Sequence, residues 1–163
     1  MQRITFYDLP ETLEAFKVMA EAKQDTPFGT AALTVLAFCV YPENKELSLQ
    51  MLDFLRGPRP LSVMDKQFIA DRFRDKDYVP CSYFEGATPE NSYKPNTPYT
   101  IKVSENPYSF DEENWATLYV TSGGADNPRP MKLRRKPSTG QWFLVEIQCL
   151  SDIRVPVEED PWA

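Results

Sequence analysis

The stretch PFGTAALTVLAFCVY, Pro27 to Tyr41, constrains the fold more than any other. It opens on Thr26-Pro27, a capping residue followed by the one residue whose missing N–H costs nothing in a first helical turn. It stops at Pro42, which cannot continue a helix. Between these limits nearly every position is apolar, so there is no polar stripe to face water, and such a helix has to be covered on most sides. Its apolar run, Ala31 to Tyr41, is about half the length a bilayer requires. The stretch is therefore expected as the central helix of a core. Its alanines admit close neighbours, and Cys39 serves as a small buried apolar residue.

Flanking segments supply partners for that helix. Asp8 to Lys23 reads as a first helix: Leu9, Leu13, Phe16 and Ala20 recur at helical spacing, and Asp8 with Glu11 resembles a capping box around Pro10. Asn44 caps a third helix, in which Leu47, Met51, Phe54 and Leu55 share a face. Gly57 lets the chain leave through a left-handed conformation that only glycine adopts cheaply. Pro58 and Pro60 keep the helix from resuming, and Ser62 with Asp65 starts a fourth helix that carries Met64, Phe68, Ile69 and Phe73 inward. Residues 51–86 thus form a hinge, with helix before and mostly strand after.

Residues 76–98 form a long irregular segment, and structureless loops beyond about 15 residues are uncommon. Tyr78, Tyr83, Phe84 and Tyr93 make it too aromatic for a flexible linker. Either the rings pin it to the domain, with SYFEG forming a helical turn, or they line a pocket or partner surface. Alternating strands follow. Tyr99, Ile101 and Val103 share a face; Ala116, Leu118 and Val120 oppose Trp115, Thr117 and Tyr119; Met131 and Leu133 oppose Lys132 and Arg134. Lys136 to Gly140 reads as a hairpin turn with Gly140 left-handed. The last strand, QWFLVEI, is apolar on both faces, which predicts a central place in the sheet or cover on both sides. In the tail, Ile153, Val157 and Trp162 are expected to clip back onto the domain.

The expected architecture is one α+β domain over residues 1–163: an N-terminal bundle of about four helices packed on a C-terminal antiparallel sheet of about three to four strands. Its parts are a helical half at 8–75, the aromatic loop at 76–98, antiparallel strands at 99–148 and an extended tail at 149–163.

The chain has no histidine. That removes Ser-His-Asp and Cys-His catalysis, histidine-ligated zinc and imidazole bases. Cys39, Cys81 and Cys149 lack metal-ligand spacing and read as reduced thiols of a cytoplasmic protein. The N-terminal MQRITFYDLP has no apolar core of a secretion signal. A net charge of −6 disfavours nucleic acid and anionic membrane as partners.

Four constellations carry residues capable of chemistry or binding. The paired glycines of SGGAD, Ser122 to Asp126, precede a strand rather than a helix, so a hairpin loop fits better than a phosphate loop. Arg129, Lys132, Arg134, Arg135 and Lys136 form a concentrated positive patch, and Lys132, Arg134 and Lys136 share a strand parity. It is suited to a phosphate or an acidic partner, or else it is a solvated face paired with Glu158, Glu159 and Asp160. The carboxylates at Asp71, Asp75 and Asp77 and at Asp111, Glu112 and Glu113 fit no calcium loop. Cys81, after Pro80, reads as an incidental thiol. The candidate binding residues are therefore Tyr83, Phe84, Tyr93, Arg129, Lys132 and Arg134; no catalytic or metal-binding residue and no cofactor is expected. The leading reading is a non-catalytic cytoplasmic binding or interaction module, a monomer or homodimer whose partner is a protein or a small anionic ligand. The alternative is a small-molecule-binding domain or histidine-independent enzyme with a pocket between helices and sheet.

LRGPRPLS (55–62), DKQFI (65–69), the DRF and DKDYVP strings (71–80), SGGAD with PRP (122–130), STGQWFLVEI (138–147) and the closing DPW together resemble a family of small bacterial proteins known as a domain of unknown function. The resemblance covers nearly the whole chain and implies a bacterial, intracellular origin; it carries no activity, ligand or site residue. Helices followed by a meander ending on Gly140-Gln141-Trp142 are also similar to nuclear-transport-factor-2-like folds. Those interleave a strand among their helices, which is not read here, and a fold likeness assigns no function.

Overall fold

The computed structural model describes residues 1–147 and 150–163. Cys149 therefore lies outside the described residues. Five strands, β1 (Gln2–Phe6), β2 (Tyr99–Ser104), β3 (Trp115–Val120), β4 (Arg129–Arg135) and β5 (Trp142–Ile147), make one antiparallel sheet in sequential order. Between β1 and β2 run α1 (Leu13–Lys17), α2 (Pro27–Val40), α3 (Lys45–Arg56), α4 (Val63–Phe73) and the short α5 (Tyr78–Cys81).

The α+β class holds, but the expected counts do not. The sheet has five strands rather than three or four, because QRITF pairs along β2 in register Gln2↔Val103 to Phe6↔Tyr99. The extra strand precedes the helices. The four-helix bundle is also corrected: among the described residues only α2, α3 and α4 are substantial, at 14, 12 and 11 residues. The first helix does not run from Asp8 to Lys23. Thr12 caps it, accepting from the Ala15 N–H, and after Lys17 the chain passes into a 3-10 turn at Ala20–Lys23.

The turn delivers Gln24 in a left-handed conformation, φ 58°, to the free edge of β5. Its buried side-chain amide donates to the carbonyls of Leu55 (3.3 Å) and Trp142 (3.0 Å), and Thr30 Oγ1 donates to the same Trp142 carbonyl. Arg56 Nη1 donates to the carbonyl of Val145 at 2.9 Å. QWFLVEI is thus an edge strand rather than a central one. Its edge is closed by side chains from the helical layer, which blocks further strand pairing there.

α2 is the core: all its residues are buried, and it packs on α3, α5 and the inner face of the sheet. Thr26 accepts from Gly29 N–H as N-cap, with Pro27 in the first turn. Inward strand positions Ile101, Val103, Ala116, Leu118, Val120, Met131 and Leu133 are fully buried, as their alternation requires. On α4 only Ile69 and Phe73 are buried; Met64 is 83% exposed and Phe68 42%. In the tail Ile153 is buried, whereas Trp162 is 93% exposed. Among the described residues no helix is long and apolar enough to cross a membrane.

The aromatic segment is held by its rings. Tyr83, Phe84 and Tyr93 are each 2% exposed, Tyr78 stacks on Tyr93 at 5.3 Å, and the helical turn falls just upstream of SYFEG, in α5. Tyr93 donates its hydroxyl proton to the Arg154 carbonyl at 2.6 Å. Burial, reinforced by Tyr78, pushes its phenol up to about 12. The fold thus favours neutral Tyr93. Its contribution is complete below the unfolded value of about 10 and disappears as pH rises through about 12. Melting temperatures measured across that interval should fall more steeply for the wild type than for Tyr93→Phe; parallel slopes would contradict the assignment.

Candidate functional site

The site begins at the corner between α3 and α4. Gly57 ends α3 with φ 59° and ψ −112°, a conformation closed to residues with a side chain. A Cβ there would overlap the ring of Phe143, so the corner lies directly on β5. Ser62 and Asp65 then form a reciprocal capping box that starts α4. Partial burial pushes the Asp65 carboxyl up, but hydrogen bonding to Ser62 and the Arg56 charge outweigh it and hold the group below its ordinary value.

Arg56 is fixed by this geometry. Its Nε donates to the Arg59 carbonyl (3.0 Å), its Nη1 to Val145, and its Nη2 lies 3.7 Å from Asp65. The side chain is only 14% exposed. Opposite the corner is the outer face of the sheet, where the registers Trp115↔Arg134 and Arg134↔Phe143 set three side chains in one cross-strand row. Lys132 Nζ lies 4.6 Å and the Arg134 guanidinium carbon 4.9 Å from the Trp115 ring.

Corner, sheet face and β4–β5 turn enclose a cavity of about 310 Å³. Arg56, Arg59, Arg134, Arg135 and Lys136 give it positive charge; Pro58, Trp115, Pro137, Phe143 and Val145 give it an apolar wall. Among the described residues no carboxylate lines it. Among the described residues the side chains of Arg59, Arg134 and Lys136 have no ion-pair or hydrogen-bond partner, and Arg135 has only a long contact of 3.5 Å to Asn114. A larger hollow of about 620 Å³ lies beside β1 and Gly86, but its Arg3 and Glu85 already form a two-pronged ion pair. The larger hollow has Lys102 beside that pair, whereas the smaller cavity gathers five cationic side chains.

Residues 8–157 match the family described as a domain of unknown function, DUF6935. The chain belongs to that family. No curated protein and no solved structure matches it. Every residue lining the basic cavity, from Arg56 to Val145, falls inside the DUF6935 match, whereas β1 lies outside it.

Within this DUF6935 chain the candidate residues separate. Arg134 reaches the cavity, and Lys132 lies beside it on Trp115. Arg129 sits at the far end of β4, opposite Val120, and donates to the Asp152 carbonyl at 2.9 Å. Tyr83, Phe84 and Tyr93 are interior, so they present little ring surface to a partner. No ion pair joins the tail carboxylates to the β4 cations among the described residues.

SGGAD is committed to packing. Gly123 N–H donates to the Ser82 carbonyl, Gly124 N–H to Ser122 Oγ, and Ser122 Oγ pairs with Ser82 Oγ at 2.8 Å. A Cβ on Gly123 would overlap the Ala87 carbonyl. The thiols of Cys39 and Cys81 lie 3.7 Å apart. No cluster of three or more metal-ligating side chains occurs among the described residues.

Sequence reasoning missed Arg56, Arg59, Trp115 and Phe143 as site residues. The available signal was the RGPRP string, two arginines on a rigid corner, together with the shared outward parity of Trp115 and Arg134 on their strands. What joins them is the register, and no local pattern states it.

Proposed function

We propose that this DUF6935 chain is a non-catalytic cytoplasmic module that binds a small anionic ligand in the cavity between the α3–α4 corner and the outer face of β3–β5. The observation that carries this is the convergence of cations from separate segments, Arg59 on the corner and Arg134 and Lys136 near the hairpin, which have no ion-pair partner among the described residues, on a cavity that no described carboxylate lines. Gathering like charges is unfavourable unless something neutralises them. The rest of the chain carries the balance of a net −6 charge, whose field opposes an extended polyanion but not a compact one. Binding rather than catalysis is supported by the lining. Among the described residues its polar lining consists of guanidiniums and the Lys136 amine, and guanidiniums serve as anion-binding forks rather than as bases or nucleophiles.

Calorimetric titration with pyrophosphate tests the reading. Saturable binding is expected for the wild type. The double variant Arg59→Glu/Arg134→Glu should lose at least on the order of 100-fold in affinity, since charge-assisted hydrogen bonds contribute about 1.5–3 kcal/mol each. Arg74→Glu, at the far end of α4, should bind as the wild type does. Absence of binding, or equal binding by the double variant, rejects the site.

A further inference from the structure

We infer that the anion taken by this cavity is carried on a flat ring: an aryl oxyanion of one or two rings, such as an aryl phosphate or carboxylate, rather than a bare inorganic ion. The inference rests on the basic-cavity reading above and adds the nature of the ligand's body.

Three observations carry it. The first is the apolar wall. Pro58, Trp115, Pro137 and Phe143 come from the corner, β3 and the β4–β5 hairpin and all line the cavity, where the Trp115 ring is shared with Lys132 and Arg134 and the Phe143 ring rests against Gly57. An inorganic anion has no apolar surface to place against them, whereas a ring removes that wall from water together with its own faces. The second is how the cations are held. Arg56 is pinned through its Nε and Nη1 to the Arg59 and Val145 carbonyls, with its Nη2 3.7 Å from Asp65, so its charge is held in a fixed place on the cavity wall. Arg134 lies against Trp115 at 4.9 Å without a carboxylate partner among the described residues. A guanidinium supported on an aromatic face keeps its N–H fork for an oxyanion in its own plane, which places the oxyanion beside ring surface. The third is size. A cavity of about 310 Å³ stands at the lower end of the range for ligand sites. It accommodates one or two fused rings with their oxyanion and is too small for a dinucleotide.

The experiment is a paired calorimetric titration of the wild type, with phenyl phosphate against inorganic phosphate and 2-naphthoate against acetate, repeated on Arg59→Glu/Arg134→Glu. The aryl member of each pair is expected to bind on the order of 10- to 100-fold more tightly, the gain that corresponds to burying one ring face and its counterpart on the wall. Both aryl ligands should lose their binding in the double variant. Equal affinities within each pair, both lost in the double variant, would overturn the aryl assignment and leave the anion site standing. No binding of any anion would overturn the anion site and this inference with it. Tight aryl binding that survives in the double variant would place the ring elsewhere and overturn both.

Discussion

Truncating Phe84 to alanine is expected to lower stability by about 3–5 kcal/mol, the range for deleting a large buried ring. Phe84 is 2% exposed, its backbone bridges to Ile101 of β2, and its ring centroid lies 5.2 Å from that of Tyr99. The neighbouring Glu85 N–H donates to Thr100 O at 2.8 Å, and Asn96 N–H returns to Glu85 O. The ring therefore locks a segment that adds backbone pairing to β2, and the backbone cannot close over the void it would leave. Urea unfolding reads the outcome: the midpoint falls while the slope, which follows the surface exposed on unfolding, stays constant. A loss under about 1 kcal/mol would instead describe a ring at the surface, available to a partner.

Gly57→Ala is expected to cost about 3 kcal/mol or more and to weaken the anion site as well. Two terms add. Alanine pays about 1–3 kcal/mol for a backbone conformation reserved to glycine. Its Cβ also meets the Phe143 ring, and forcing a side chain into packed space costs about a further 1–3 kcal/mol. The ring has to move, or the corner has to rise. Either response shifts Pro58 and Arg59 relative to Phe143, and all three line the cavity. Denaturation together with pyrophosphate titration separates the effects. Wild-type stability and affinity would show that the corner is not seated on β5. Phe143→Ala in the Gly57→Ala background should recover only the steric part, because the backbone strain belongs to residue 57 alone.

Features with local causes were readable from the residues. The caps at Thr26, Asn44 and Ser62 depend on a side chain reaching N–H groups two or three positions away, and each forms as expected. The two faces of β3 and β4 follow from parity alone. The first strand carries an alternation too, Ile4 and Phe6 against Arg3 and Thr5, but five residues are too few to separate a strand from an irregular lead-in without sight of their partner. For β5 the apolar residues on both faces left a central place and cover on both sides open, and the sheet order removes the central place. Here the edge is sealed by Gln24, Thr30 and Arg56, a role that no side-chain type announces. The basic cavity was half legible. Arg134 and Lys132 stood out as charges on one strand face, whereas Arg56 and Arg59 looked like residues of a turn until the turn met the sheet.

The strand order has a further consequence, for the time course of folding. β3, β4 and β5 pair only with near neighbours in the chain, and α2 and α3 pack together across a short connection. Those contacts need little loop closure and are available early. β1 is different. Gln2 has to wait for Val103, and Phe6 for Tyr99, with the entire helical layer between them. During synthesis β1 leaves the ribosome before the helices yet is completed only after β2 has followed. The docking of those few residues is thus expected as the last and least protected event in assembly. Amide exchange should register it as the first part of the sheet to open again.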